Sequence, residues 1–210
     1  MFRSLAFLLI FCTVILLSPR ASADFTSTFD IPNGGVIPFS GPVGNWYLTT
    51  VFNGGAATLD TSSAPSSVSL MGYGTGSGSG SSATLEFASI AQAGTVNVDF
   101  NFSATSAAGS PSSSAVFTIY VNGVSVDTYS STITSTATIP VLAGDDLEFY
   151  VIGSGGIIPP SGGPPTILTG TAAVTLSNFT FTPVPELGDT AALVGMSTFG
   201  LLLLRRRKKN

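Results

Sequence analysis

Short runs of alternating apolar and polar residues recur along this chain, and no segment between residues 24 and 183 has the period of a helix. The clearest run is TVNVDFNF (95–102), in which Val96, Val98, Phe100 and Phe102 alternate with polar residues. Successive side chains of a strand point to opposite faces of a sheet, so this alternation predicts half-buried β-strands. The sequence therefore predicts an all-β body.

Two further runs repeat the pattern, and one of them ends in a turn signal. FTIYVNG (117–123) ends in Asn122-Gly123, a dipeptide that favours a two-residue hairpin turn. DDLEFYV (145–151) would bury Leu147, Phe149 and Val151 on one face. Further strands are predicted in TSTFDI (26–31), WYLTTVF (46–52), SVSLM (67–71) and TLEFASI (84–90).

The alternation changes phase within AAVTLSNFTF (172–181), the last strand of the body. Val174 and Leu176 share one parity, whereas Phe179 and Phe181 have the opposite one. One extra residue in the strand would return both pairs to the same face. We therefore predict a β-bulge near Ser177 and Asn178.

Stretches rich in Gly, Ser and Pro separate the predicted strands, and we interpret them as linker-like loops. Many short strands with such connections predict a β-sandwich of the jelly-roll type. The stretches are GYGTGSGSGSS (72–82), SATSAAGSPSSS (103–114) and GSGGIIPPSGGPP (153–165).

The charged residues of the body are all acidic, since no Lys, Arg or His lies between residues 24 and 186. An acidic body repels phosphate backbones, so we expect no nucleic-acid partner. Without His, and with Cys12 as the only cysteine, the chain cannot build a Ser-His or Cys-His triad or a zinc site of the usual kind. We expect a protein that is not an enzyme and needs no cofactor.

The first 23 residues have the parts of a secretory signal peptide. Arg3 precedes an apolar run from Leu5 to Leu17, and Ala21 and Ala23 place small residues at the positions expected for cleavage before Asp24. An uncleaved anchor helix is the alternative, although the run is shorter than the roughly 20 residues that a membrane span needs.

The last residues combine an apolar segment with nearly all of the positive charge. The segment runs from Ala191 through Leu193 and Leu201 to Leu204, and it predicts a short transmembrane helix. The basic cluster behind it would stay on the cytoplasmic side and stop translocation. The alternative is a permanent tail anchor. The cluster consists of Arg205, Arg206, Arg207, Lys208 and Lys209.

This tail begins with Val184, Pro185 and Glu186, followed by Gly188, and it resembles the sorting signal of PEP-CTERM proteins. It is most similar to the related class that begins Val-Pro-Asp-Ser-Gly, with Glu186 in place of the Asp. The order of the strands in the body is also similar to the sandwich ectodomains that such proteins carry.

The resemblance implies recognition and cutting by an exosortase-like membrane enzyme. It also implies export in a Gram-negative-type bacterium, passage through the inner membrane, and a final place on the cell surface or in an extracellular matrix rich in exopolysaccharide. The expected segments are a signal peptide (1–23), a β-sandwich (24–183) and a sorting signal (184–210).

Two groups of side chains in the body are candidates for binding. Trp46 and Tyr47 could contact sugar rings, together with Tyr73, Tyr120 and Tyr129, although aromatic residues more often pack in a core. A carbohydrate-binding or adhesive module is therefore the alternative to a purely structural protein.

Acidic residues supply the remaining candidates. Asp145, Asp146 and Glu148 form a weak calcium candidate, because the spacing of a calcium loop is missing and Asp145 suits a turn. Glu86 and Asp99 are the acids that a glycosidase would need as a pair, although both occupy ordinary solvent-facing strand positions.

Overall fold

The described part of the protein consists of β-strands and the turns that connect them. A computed structural model describes residues 31–76, 80–106, 114–158 and 165–184. The strands are β1 (Val36–Ile37), β2 (Gly41–Val43), β3 (Trp46–Val51), β4 (Gly55–Asp60), β5 (Ser67–Thr75), β6 (Gly80–Phe87), β7 (Gly94–Ser106), β8 (Ser114–Val121), β9 (Val124–Tyr129), β10 (Ile133–Val141), β11 (Leu147–Ser154), β12 (Gly156–Ile158) and β13 (Thr166–Pro183).

These strands form two antiparallel sheets that pack face to face. Sheet A has the order β1-β4-β5-β13-β7-β10, with β12 paired to β13, and sheet B has the order β2-β3-β6-β11-β8-β9. From β5 onward most connections cross from one sheet to the other, so each sheet buries one face against its partner. The prediction of an all-β fold with two antiparallel sheets is confirmed.

The core between the sheets is built from the inward positions of the alternating runs. Val96, Val98, Phe100 and Phe102 of β7 are all buried, as the sequence predicts. Leu147, Phe149 and Val151 of β11 are buried as well, and so are Phe117 and Ile119 of β8, while Val121 is half-buried.

The predicted bulge lies in β13. Ser177 pairs with Asp99 of β7, but the next pair is Thr180 with Asn97, so Asn178 and Phe179 together oppose one residue. Asn178 takes a left-handed backbone with φ 49°, and Phe179 is thereby turned into the core. The bulge restores the apolar face of the strand, as predicted from the phase break.

The hairpin between β8 and β9 is confirmed too. Asn122 and Gly123 both have positive φ, at 52° and 71°, and the flanking Val121 and Val124 are paired. Two consecutive left-handed residues are the geometry of a type I′ turn, whose twist matches that of the strands.

Glycines bring the two sheets into backbone contact near one end of the sandwich. A Cβ atom built on Gly72 of β5 would lie 2.5 Å from the carbonyl oxygen of Ser81 and 2.9 Å from the nitrogen of Gly153, both in sheet B. One built on Gly170 of β13 would lie 2.7 Å from the carbonyl oxygen of Ser114. No larger residue fits between backbones so close together.

This contact corrects the interpretation of the glycine-rich stretches as loops for their described ends, whereas residues 77–79, 107–113 and 159–164 lie outside the described ranges. Gly72–Thr75 belongs to β5, Gly80–Ser82 to β6, and Gly153 and Ser154 to β11. Gly and Ser occur there because the sheets converge, so the low apolar content does not indicate a linker.

Several predictions concern residues outside the described ranges. These are the strand at 26–30, the signal peptide with Ala21 and Ala23, the sorting residues Pro185, Glu186 and Gly188, the apolar segment, and the basic cluster. Within the described ranges no helix is long and apolar enough to cross a membrane. Val184 is described, and its backbone nitrogen donates to the carbonyl oxygen of Ala93 at 2.9 Å.

Candidate functional site

The outer face of sheet B carries a straight row of tyrosines and carboxylates across four strands. Tyr47 of β3 is paired with Glu86 of β6, and Glu86 is paired with Glu148 of β11. Glu148 is in turn paired with Tyr120 of β8. Directly opposite residues of antiparallel strands project from the same face of a sheet, so these four side chains are neighbours.

Strand alternation places the row on the outside. Tyr47 lies between Trp46, 3% exposed, and Leu48, 0% exposed, whereas Tyr47 itself is 47% exposed. Glu86 and Glu148 likewise alternate with buried residues and are half-buried. The inward neighbours anchor the sheet in the core, and this fixes the outward side chains at the spacing of the strands.

A second row, one step along the strands, adds another ring and several hydroxyl groups. It consists of Thr49, Thr84, Tyr150 and Thr118, again in direct register, but Thr118 is buried at 4% exposure. Tyr150 packs edge-to-face against Tyr120 of the first row, with ring centroids 6.1 Å apart at 74°. We call these eight residues, Tyr47, Thr49, Thr84, Glu86, Thr118, Tyr120, Glu148 and Tyr150, the tyrosine–glutamate face.

The carboxylates of Glu86 and Glu148, at the centre of this face, repel each other. Partial burial raises the pKa of Glu148, and the charges of Glu86 and Asp146 raise that pKa further. The sequence has no Lys, Arg or His between residues 24 and 186 to compensate them. The face therefore offers strong hydrogen-bond acceptors beside aromatic rings, and it disfavours anions.

The structure corrects the assignment of Trp46 as a sugar contact. Trp46 is buried and packs against Phe87, Phe149 and Phe179 with ring centroids 5.3, 6.0 and 5.6 Å away. In a strand with alternating burial only one of two adjacent aromatic residues can face outward, and here it is Tyr47.

The other tyrosines named from the sequence do not form one platform. Tyr120 lies on the tyrosine–glutamate face, but Tyr73 belongs to β5 and projects from the outer face of sheet A. Tyr129 packs on Phe100 and Phe117, with centroid distances of 4.8 and 5.9 Å. Tyr129 thus extends the core.

Glu86 and Asp99 are not a catalytic pair, because they lie on opposite outer faces of the sandwich. Asp99 belongs to β7 of sheet A and accepts hydrogen bonds from Thr136 Oγ1 at 2.5 Å and Asn178 Nδ2 at 2.8 Å. These bonds lower the pKa of Asp99, with the Thr136 bond the stronger cause. The correct neighbour of Glu86 is Glu148.

The outer face of sheet A is polar, but its groups bind one another. A shallow groove there is lined by Asp99, Asn101, Thr134, Thr136 and Ser177, among others. Thr134 donates to Asn101 Oδ1 at 3.2 Å, in the same manner as Thr136 to Asp99. Asp99, Asn101, Thr134 and Thr136 are thus already paired across the strands, which leaves sheet B as the better candidate for a binding surface.

The calcium candidate is not supported by the positions of its carboxylates. Asp145 accepts hydrogen bonds from the backbone nitrogen of Leu142 and from Asn122 Nδ2, at 2.7 and 2.8 Å, and these lower its pKa. Asp146 accepts from the nitrogen of Ser89 at 2.7 Å.

Glu148 belongs to the tyrosine–glutamate face and does not join the two aspartates. The described residues contain no group of three carboxylate, His or Cys side chains that could hold a metal ion. Asp145 and Asp146 instead fasten the turn before β11 to the neighbouring loops.

Two features of the face were not predicted from the sequence. Tyr150 has the outward parity in DDLEFYV, so the alternation that predicts Leu147 and Phe149 in the core contained the signal. The Glu86–Glu148 pair had no such signal, because it depends on the pairing of β6 with β11 across a long sequence separation.

Comparison with known proteins gives no family for this chain: no family model and no curated protein matches. Among solved structures, the chain is weakly similar to the N-terminal cellulose-binding domain of Cellulomonas fimi β-1,4-glucanase C, at 14% identity and TM-score 0.32, covering 74% of this chain and 99% of that one. Another is TmCBM61 in complex with β-1,4-galactotriose, at 9% identity and TM-score 0.28, covering 66% and 88%.

A third similar structure is that of the secreted serine protease VesC from Vibrio cholerae, at 19% identity and TM-score 0.33. The match covers 68% of this chain and 25% of the protease. This chain therefore corresponds to only about a quarter of the protease's length.

Proposed function

We propose that this protein is an exported, non-enzymatic β-sandwich that binds a neutral polysaccharide through the tyrosine–glutamate face. The observation that carries the proposal is the row of Tyr47, Glu86, Glu148 and Tyr120 in direct register on the outside of sheet B. It places rings at both ends of a pair of hydrogen-bond acceptors.

The chemistry of the row suits a sugar chain. A pyranose has C–H groups on its faces and hydroxyl groups on its edges, so it needs an apolar ring beside polar acceptors. Tyr47 and Tyr120 supply rings with polar tips, and the carboxylates accept hydrogen bonds from hydroxyls, which are stronger than bonds to neutral acceptors. The hydroxyls of Thr49 and Thr84 extend the polar surface by one step.

Charge favours a neutral ligand over an acidic one. Partial burial, and then the negative charge of Glu86, already raise the pKa of Glu148, so the site disfavours the negative charge that it holds. A uronate or sulfate group would add a further negative charge where no cation is available to pair with it. We therefore assign neutral glycans as the ligand class.

Binding without hydrolysis agrees with the placement of the carboxylates. A glycosidase holds its two acids on opposite sides of the scissile bond. Glu86 and Glu148 instead project side by side from adjacent strands of one sheet face. We propose that this pair contacts one side of a bound chain and binds it without cleaving it.

Affinity electrophoresis in gels that contain a soluble polysaccharide tests this proposal. Suitable probes are xylan, β-1,4-galactan and mixed-linkage β-glucan as neutral chains, and alginate as an anionic one. We expect retardation by at least one neutral chain and none by alginate. Y47A and Y150A should each weaken binding by roughly tenfold, given about 1.5 kcal/mol for a buried ring contact.

The control is Y73A, which removes a tyrosine from the outer face of sheet A. It should bind like the wild type. Equal losses in Y73A and Y47A would contradict the assignment of the face. Absence of binding to every neutral chain would favour a purely structural surface protein.

The jelly-roll type is the finer fold assignment that we propose. Numbered from β5 and omitting β12, eight strands give the orders 1-8-3-6 in sheet A and 2-7-4-5 in sheet B. This interleaving supports two nested Greek keys, the arrangement of jelly rolls.

We also propose, on the resemblance of the two ends alone, that the protein is exported and that an exosortase-like enzyme cuts its tail. The mature protein would then join the cell surface or matrix, where a glycan-binding face would meet exopolysaccharide. Intact-mass measurement of the protein recovered from the producing bacterium tests this. Loss of residues 1–23 and of the basic cluster is expected, whereas a retained cluster would indicate a permanent tail anchor.

A further inference from the structure

The four edges of the two sheets differ in how well they are protected from pairing with another chain. β1 has 2 residues and β2 has 3 residues with a proline at 42, so both are short. β9 carries Asp127 and a register irregularity against β8. Short length, proline, charge and bulges are the usual protections of an edge strand.

β10 has little of this protection. It spans 9 residues, Ile133–Val141, and contains no charged residue. Its described partner is β7 alone, and the pairing is regular over the whole strand. Its only residue without a backbone N–H is Pro140, near the end of the strand.

Among the described residues no strand pairs with the edge of β10 opposite β7, and this edge presents the backbone groups of three threonines. The backbone nitrogen of Ala104 in β7 donates to Thr132 Oγ1, so the even-numbered residues of β7 direct their N–H groups toward β10. These residues are paired with the odd-numbered residues of β10, such as Val98 with Ala137. The odd-numbered residues of β10 therefore direct their N–H and C=O groups toward β7, and the even-numbered residues direct theirs to the other side. The N–H and C=O groups of Thr134, Thr136 and Thr138 therefore point away from the sheet.

Pro140 gives independent support for outward-pointing backbone groups at the even-numbered residues of β10. It has the same parity as the three threonines, and a proline is tolerated in an edge strand where its missing N–H would have faced solvent. Since Pro140 is opposite Thr95 in a regular pairing, its position agrees with outward-pointing groups at the even-numbered residues.

The sequence along this edge is close to a palindrome. Residues 133–139 read Ile-Thr-Ser-Thr-Ala-Thr-Ile, and the reversed order differs only by exchange of Ser and Ala. In an antiparallel pair of two such strands centred on Thr136, isoleucines would face isoleucines and threonines would face threonines. Each of these is a favourable cross-strand combination.

We propose that two copies of this chain pair through β10, antiparallel and about a two-fold axis at Thr136. Thr134 then lies opposite Thr138 of the second copy, and Thr136 lies opposite its own counterpart. Each of the three threonine pairs exchanges two backbone hydrogen bonds, and sheet A continues from one copy into the other.

A second copy fits this edge better than an unrelated strand does. A two-fold axis needs a self-complementary strand, and the near-palindrome supplies one. The acidic surface of the protein also repels other copies elsewhere, whereas β10 itself carries no charge. The pair would present two tyrosine–glutamate faces and so bind polysaccharide with avidity, although the pairing does not depend on that function.

Cysteine cross-linking of the full-length chain tests the register. In a C12S background, T136C places two thiols on the axis, with Cα atoms about 5.5 Å apart, which is within the range of a disulfide. T134C is the matched control, because its two copies would be about 14 Å apart. We expect a covalent dimer under mild oxidation from T136C and not from T134C.

Equal cross-linking of both variants, or of neither, would overturn the proposal. Sedimentation of the uncross-linked chain in detergent gives a second measurement. T136P removes an outward N–H and should raise the dimer dissociation constant by at least roughly tenfold, whereas T136V keeps it and should dimerise like the wild type. A monomeric wild type, or a T136P that dimerises like T136V, would contradict the pairing.

Discussion

Replacing Gly153 by alanine tests the backbone contact between the sheets. Gly153 lies in β11, and a Cβ atom there would lie 2.6 Å from the carbonyl oxygen of Gly170 and closer still to that of Gly72. Both oxygens belong to sheet A, so no flexible side chain can move aside. The sheets would have to separate by about 1 Å to restore ordinary contact distances.

The expected cost follows from this geometry. Overpacking a well-packed interior costs about 1–3 kcal/mol, and a clash with two strands of backbone belongs at the upper end. We therefore predict a loss of about 3 kcal/mol, which lowers the Tm by roughly 6–12 °C in a domain of this size.

The assay is urea and thermal denaturation of G153A and G41A, monitored by circular dichroism. Gly41 is the matched control, because a Cβ atom there meets no atom within 4 Å. G41A should change stability by less than about 0.5 kcal/mol. If G153A were as stable as G41A, the sheets would not approach each other as closely as the structure shows.

Two smaller perturbations test the site and the bulge. The folded-state pKa of Glu148 is raised, so the folded state loses stability as the pH rises through that value. E148Q should therefore be more stable than the wild type at pH 7, by less than about 1 kcal/mol, and the difference should vanish at low pH. A less stable E148Q at pH 7 would contradict a pKa of Glu148 raised by burial and by the charge of Glu86. N178A and N178G both lose the bond to Asp99, but the left-handed backbone favours glycine, so N178A should be less stable than N178G by about 1 kcal/mol in urea titrations. The reverse order would contradict the bulge geometry.

The local parts of the fold were predictable because they depend on parity within single strands. The bulge at Asn178 follows from a phase break that is visible in ten residues, and the Asn122-Gly123 turn follows from a dipeptide. Both need only the geometry of one strand or one hairpin.

The parts that depend on which strands become neighbours were not predictable. Adjacent aromatic residues at Trp46 and Tyr47 must point opposite ways, yet nothing local decides which of them is buried. Glu86 could be matched with Asp99 or with Glu148, and only the strand order separates the two choices. The glycines at 72 and 153 were interpreted as loop residues because a close approach of two sheets leaves no periodic signal.

The most direct test of the central claim is to locate a bound sugar chain on the protein. Isotope-labelled protein would be titrated with an oligosaccharide of the best-binding neutral polysaccharide, and amide chemical shifts would be followed by NMR. We predict that the largest changes occur at Tyr47, Glu86, Glu148 and Tyr150 and their strand neighbours in sheet B. Changes concentrated around Asp99 and Thr136, on the outer face of sheet A, would contradict the account.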